Sequence, residues 1–130
     1  MRNNSKLYLL FSHTLTEEQK TDARERFGID KIVPFPTALL DTWSHIPAEE
    51  EKVKPYLQEI FTYLDQVTQD DYVLVQGDFG ATYMAVNYVR EKGAIPIYAT
   101  TQRNVVEKQV GNKSIKTSVF KHVRYRVYGE

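Results

Sequence analysis

Apolar residues follow two rhythms along this chain: short unbroken runs, and longer stretches in which they recur every three or four positions. Lys6 to Phe11 (KLYLLF) is an unbroken run bounded by polar residues, the pattern of a strand buried on both faces. The following SHTLTEEQKTDARERFG predicts a loop and then a helix, because Thr16 and Gln19 have the spacing of a capping box and Gly28 stands where the helix would stop. Asp30 to Phe35 (DKIVPF) predicts a second short strand, closed by Pro34 and Pro36. Between Pro47 and Val67 the apolar positions Val53, Leu57, Ile60, Phe61 and Leu64 predict one helix. Glu49 to Glu51 fall in its first turn, where the helix dipole favours anions, and Pro55 marks a kink.

DYVLVQG (71–77) predicts a third strand and ATYMAVNYVREKG (81–93) an amphipathic helix ending at Gly93; AIPIYATT (94–101) predicts a fourth strand. Strand and helix thus alternate through most of the chain, the signature of a mostly parallel sheet covered on two faces. Beyond Arg103 the rhythm changes. NVVEKQV and IKTSVFKHVRYRVY flank a Gly-Asn turn and predict a C-terminal β-hairpin, whose second arm keeps Val119, His122 or Val123, and Tyr125 to Tyr128 near strand spacing. With no repeat, linker or low-complexity tract, the expectation is a single α/β domain over residues 1–130.

Charge sharpens this outline. Seventeen Lys plus Arg balance seventeen Asp plus Glu, so nothing draws the chain as a whole to duplex nucleic acid or a membrane surface. The balance conceals a polarity. Residues 1–99 hold ten basic and fifteen acidic side chains, whereas residues 100–130 hold seven basic and two acidic, so an anionic ligand is expected to meet the C-terminal segment. The absence of cysteine excludes disulfides, thiolate metal sites and a cysteine nucleophile. No apolar run has the length of a signal h-region or a membrane span, and a cytoplasmic protein is expected.

In a mostly parallel sheet, ligands bind outside the carboxyl ends of the strands, where loops and helix N-termini converge. Four segments arrive there: Ser12 and His13, the prolines after the second strand, Gln76-Gly77-Asp78-Phe79-Gly80, and Thr100-Thr101-Gln102-Arg103. Gly77 and Gly80 allow a ligand close to the backbone, and the helix that follows offers unpaired N–H groups suited to phosphate. Asp78 repels phosphate and suits a ribose hydroxyl or an adenine edge. A plainer reading carries equal weight: the glycines make a tight strand-to-helix turn and Asp78 is the helix N-cap. GDFG has the spacing of neither a P-loop nor a dinucleotide fingerprint. His13, His45 and His122 lack metal-ligand spacing, so no metal or other cofactor is expected, and His45 beside Trp43 reads as loop packing. FKHVRYR can be an edge strand guarded by charge, yet Lys121, His122, Arg124 and Arg126 gather more cationic groups than such protection needs.

FSHTLT, VLVQGDFGATYMAVNY, PIYATTQR and VFKHVRYRVYG, in this order across nearly the whole chain, resemble the motif set of the small Csx-type CRISPR-associated ring nucleases of type III systems. The resemblance implies a compact Rossmann-like domain similar to the sensor domains that bind cyclic oligoadenylates, and an enzyme that removes this second messenger. It also implies a homodimer enclosing a two-fold ligand.

The residues can be matched to that chemistry. A cyclic oligoadenylate needs cations at its phosphates, close backbone approach, and hydroxyl or amide groups at riboses and adenine edges. Ser12, Gln76 to Gly80, Thr100, Thr101, Arg103 and Arg124 are the candidate ligand contacts. Cleavage without a metal can use the substrate's own 2′-hydroxyl, with Lys121, Arg103 and Arg124 stabilising charge and His13 or His122 moving protons. Two other readings use the same residues: a module that sequesters or senses the messenger without cutting it, and an unrelated nucleotide-processing enzyme with Asp78 as its carboxylate.

Overall fold

The computed structural model describes residues 5–130 of the chain; the first four positions of the expected 1–130 domain lie outside the described residues. One curled sheet contains β1 (Lys6–Leu10), β2 (Lys31–Pro34), β3 (Tyr72–Val75), β4 (Ile95–Val110) and β5 (Lys113–Val127). Their order is β2-β1-β3-β4-β5. β1 pairs in parallel with β2 and β3, and β3 with β4, while β5 runs antiparallel to β4. The architecture is mixed α/β with a mostly parallel sheet and an antiparallel C-terminal hairpin, as the alternating pattern predicts.

The unbroken apolar runs are explained by burial on two sides. Leu7, Leu9, Tyr72 and Leu74 pack on the face that carries α1 (Glu17–Phe27). Tyr8, Leu10, Val73 and Val75 pack on the face that carries α2 (Thr37–Ser44), α3 (Gln58–Leu64) and α4 (Phe79–Glu91). Each fully buried aliphatic side chain here contributes about 1.5–3 kcal/mol relative to exposure. α1 starts at the expected capping box, with Thr16 Oγ1 accepting from Gln19 N at 3.2 Å and Gln19 Oε1 from Thr16 N at 2.9 Å. It ends at Gly28, whose φ of 66° is the left-handed conformation that favours glycine.

The expected helix from Pro47 to Val67 requires correction. Residues 47–53 are irregular, Lys54–Tyr56 form a 3₁₀ turn, and only Gln58–Leu64 are α-helical. Pro55 does not kink a long helix; it sits in the first positions of the short turn, where its missing N–H is not needed. Glu49 to Glu51 consequently lie outside any helix. Conversely, the prolines that close β2 also open α2, an element the pattern did not predict, with Pro36 at its N-cap and Trp43 buried.

The fourth strand and the first arm of the hairpin are one strand, β4, 16 residues long. It joins β5 through a two-residue Gly111-Asn112 turn between the paired Val110 and Lys113, with Gly111 at φ 63°. β1, β2 and β3 have only four or five residues. The pairs from Thr101–His122 to Val110–Lys113 therefore project beyond the sheet as a two-stranded arm, roughly 30 Å long at about 3.3 Å per residue. A bulge opposite Thr100 and Thr101 leaves Val123 without a direct partner, so His122 and Tyr125, three apart, share one face. Among the described residues, no helix is long and apolar enough to cross a membrane.

Candidate functional site

The chain leaves β1 towards β2 on one side and leaves β3 towards β4 on the other, which makes the carboxyl ends of β1 and β3 a topological switch point. Ser12 and His13 follow β1 there and Gln76 to Gly80 follow β3, with Gln76 N donating to Leu10 O at 3.2 Å across the point. Thr100 and Thr101 rise from β4 at the same edge.

Within the β3 loop, the local structure accounts for three of the five residues. The Gln76 side-chain carbonyl accepts from Ala99 N at 2.8 Å, extending the β3–β4 pairing by one bond. A Cβ at Gly77 would lie 2.5 Å from Trp43 Nε1 and 2.6 Å from Trp43 Cε2, so the close approach expected of a ligand at this glycine is made by the indole. Trp43 Nε1 donates to Gln76 O at 2.9 Å. Asp78 is the N-cap of α4, its Oδ2 accepting from Ala81 N at 3.0 Å, as the plainer reading of this stretch holds. Gly80 has no such internal explanation, since a Cβ there would meet only ordinary contacts at 3.5 Å or more. Phe79 is 95% exposed and Tyr83, one turn on, is 71% exposed.

The arm sorts the C-terminal cations onto two faces. Thr100, Gln102 and their partners Arg124 and Lys121 share the face continued by Lys108 and Lys113, with no acidic residue among them. The Thr100 hydroxyl donates to Arg124 O at 2.9 Å and fixes the arm's root. Arg103 lies on the opposite face, its Nε donating to Ser118 Oγ at 3.0 Å. His122 shares that second face. Its Nε2 is 2.8 Å from Asp22 Oδ2 of α1, its ring is 4.9 Å from that of Tyr125, and its side chain is only 5% exposed. Tyr125 is buried beside it and donates to Gln19 O at 3.0 Å; burial pushes its phenol well above the usual range, so it remains a donor. His122 and Arg103 are thus separated from Lys121 and Arg124, whereas His13 stays exposed at the switch point with its ring 5.3 Å from Phe11.

Next to His13 the structure opens a cavity of about 540 Å³ between α1 and β2. Lys20, Arg24 and Lys31 line it together with Ser12, His13 and Thr14. The sequence reading missed these three cations, because a charged i, i+4 pair on a polar helix looks like any solvated face. Among the described residues, no group of three or more His, Asp or Glu side chains is placed to hold a metal ion.

A family model described as "Uncharacterized protein MJ1673 family" matches residues 5–126, and the chain belongs to this family. It is 43% identical over 124 residues to "Uncharacterized protein MJ1673" of Methanocaldococcus jannaschii, an alignment covering 95% of this chain and 96% of that protein. No solved structure matches it significantly.

Proposed function

We propose that this chain binds cyclic oligoadenylate, with cyclic tetra-adenylate as the principal ligand, and opens the ring without a metal or other cofactor, acting as a cytoplasmic ring nuclease that switches off type III CRISPR signalling. The observation that carries the reading is convergence. Ser12 and His13, the exposed Phe79-Gly80 start of α4, and Thr100 and Thr101 meet at one sheet edge, beside which rises the arm face bearing Lys121 and Arg124. The four parallel strands, in the order β2-β1-β3-β4, follow flavodoxin-like doubly wound sheets, with β5 added antiparallel at the edge, and this order supports a Rossmann-like assignment.

The chemistry asks little of the protein beyond geometry and charge. The ribose 2′-oxygen attacks the adjacent phosphorus, the bond from phosphorus to the 5′-oxygen breaks, and the products carry a 2′,3′-cyclic phosphate and a 5′-hydroxyl. The proton leaving the 2′-oxygen is balanced by one delivered to the 5′-oxygen. His13, exposed at the switch point, carries an imidazole that can exchange it. Lys121 and Arg124 stabilise the charge that develops on the phosphorane. Phe79 offers an exposed ring on which an adenine stacks. A homodimer presents two such edges to a two-fold ring.

The engagement of His122 with Asp22 favours, as a second reading, a module that holds the messenger without cutting it. Incubation with labelled cyclic tetra-adenylate, with and without EDTA, separates the two. Linear products ending in 2′,3′-cyclic phosphate in both conditions support the nuclease. Retention without turnover supports the binding module, and activity that depends on added magnesium or manganese overturns the mechanism.

A further inference from the structure

A five-stranded sheet is about 24 Å wide at ~4.8 Å per strand, and a single helix, about 10 Å across, cannot cover one of its faces. α1 lies alone on its face and is drawn to the β3–β5 side. Phe27 stacks on Tyr72 of β3 at 4.7 Å, Tyr125 of β5 donates to Gln19 O, and His122 meets Asp22. Beside α1 on the β1–β2 side lies the cavity of about 540 Å³, whose apolar lining includes Leu9 of β1, Ile32 of β2, Phe11, Leu15 and, from α2 at the sheet edge, Leu40.

The rim of this cavity is polar and predominantly cationic. Lys20 makes an exposed pair with Glu17 at 3.4 Å, whereas the side chains of Arg24 and Lys31 have no hydrogen-bond or ion-pair partner among the described residues. Ser12, His13 and Thr14 border the same space, and their side chains likewise have no hydrogen bond to a described residue. Asp30, beside Lys31, is the one carboxylate in the lining. An apolar floor with a few convergent polar groups is the usual make-up of a small-molecule site, and this volume falls within the usual range of about 300–1,000 Å³.

We infer that this groove is a binding site for a nucleoside monophosphate. A flat base suits the floor of Leu9 and Ile32. The phosphate suits Arg24 and Lys31, of which the planar guanidinium can make two parallel bonds to phosphate oxygens. Asp30, which would repel the phosphate, accepts instead from ribose hydroxyls. A fatty acid would satisfy the floor and the cations but would leave Asp30, Ser12 and Thr14 unused. The inference does not rest on ring cleavage: none of the arm takes part, and Ser12 and His13 are the only residues the two readings share.

The test is titration of the full chain with adenosine monophosphate, adenosine and inorganic phosphate, followed by amide and methyl NMR. The expected result is that adenosine monophosphate binds at least tenfold tighter than adenosine or phosphate alone and shifts the methyl signals of Leu9, Ile32 and Leu40. Arg24→Gln and Lys31→Gln should each weaken it at least fivefold while adenosine binding stays the same. Both side chains are at the surface, and thermal melts confirm that the variants are folded. Equal affinity for the nucleotide and for phosphate alone overturns the inference, as do shifts confined to the arm or unchanged affinity in both variants. Whether the wild-type chain cuts cyclic tetra-adenylate has no bearing on any of these outcomes.

Discussion

The indole of Trp43 occupies the space that a side chain at position 77 would need, and its Nε1 donates to the carbonyl oxygen of Gln76 at 2.9 Å. Helix α2 is thereby fastened to the carboxyl end of β3, with the glycine serving as the socket. Gly77→Ala is expected to destabilise the fold by about 1–3 kcal/mol, the usual range for overpacking a well-filled interior. Trp43 and the backbone of β3 are both fixed by their own packing. Trp43→Phe, which removes the donor and shortens the ring, should cost less in the Gly77→Ala background than in the wild type. Urea melts of the four proteins give the coupling, and additive effects would show that the ring does not limit position 77.

The same contact explains what the sequence made legible and what it did not. The three short parallel strands, the capping box at Thr16 and Gln19 and the Gly111-Asn112 turn are local matters, set by runs, caps and φ, and they stand close to where they are read, whereas the fourth strand runs on into the hairpin. Gly77 reads equally as a ligand glycine and as a turn glycine, and Trp43 carries no reading beyond its place beside His45, because their meeting spans 34 positions and no local pattern encodes it. α2 was hidden because Pro36 signals the end of a strand as strongly as the start of a helix. The convergence of Ser12, His13 and the β3 loop was legible through the strand alternation, which dictates where carboxyl ends lie. The division of Arg103 from Lys121 was not, because it depends on pairing register and on a bulge.

Asp78 caps α4 through one oxygen, and the consequence differs between two substitutions. Asp78→Ala should cost about 1 kcal/mol, the usual loss for an N-cap, seen as a lower melting temperature. Asp78→Asn retains an acceptor and should melt close to the wild type. If the carboxylate also contacts ligand, Asp78→Asn will bind cyclic tetra-adenylate more weakly despite its intact stability; full affinity in this variant removes Asp78 from the site.

Lys121 and Arg124 lie on the acid-free face of the arm, and strand cations in solvent add little to folding. Lys121→Ala and Arg124→Ala should each melt within about 0.5 kcal/mol of the wild type and lose at least fivefold in affinity for cyclic tetra-adenylate. The salt dependence of binding should also become shallower, because one phosphate contact is gone in each. Arg103→Ala, on the other face and bonded to Ser118, should change affinity least. Equal binding by all three variants would return the arm's charge to edge protection.

Asp65 receives hydrogen bonds from Lys92, with its Nζ at 2.8 Å, and from Tyr88, and these partners hold its carboxyl below the ordinary range while raising Lys92. A depressed carboxyl stabilises the fold above its unfolded pKa, and that contribution disappears as pH falls through the folded value. The raised lysine contributes below its unfolded pKa and loses its share only in strong alkali. The effect of Lys92→Met should therefore be level through neutral pH and shrink below about pH 4, near the ordinary aspartate pKa. Melting temperatures of both proteins from pH 3 to pH 8 check this, and a difference that stays constant into acid would assign the pair no role in acid stability.

A second copy of the chain is the expected partner of the arm. A two-stranded ribbon is marginal in water by itself, and this one leaves Val105, Val106, Val110, Ile115, Val119 and Phe120 about half or more exposed. It belongs to a segment with five more basic than acidic residues, while residues 1–99 carry five more acidic than basic ones. Apolar surface and opposite charge together favour laying each arm across the body of another copy, where the exposed Tyr83 offers aromatic contact. The chain should elute and scatter light as a dimer. Val106→Lys combined with Val119→Lys, both on the basic face, should give monomers whose arm amides exchange with solvent freely while the β1 and β3 amides stay protected. The core would be untouched, since neither valine packs on it. Monomers in the wild type, or an unchanged dimer in the double variant, would end this account of the arm and leave its apolar residues to another partner.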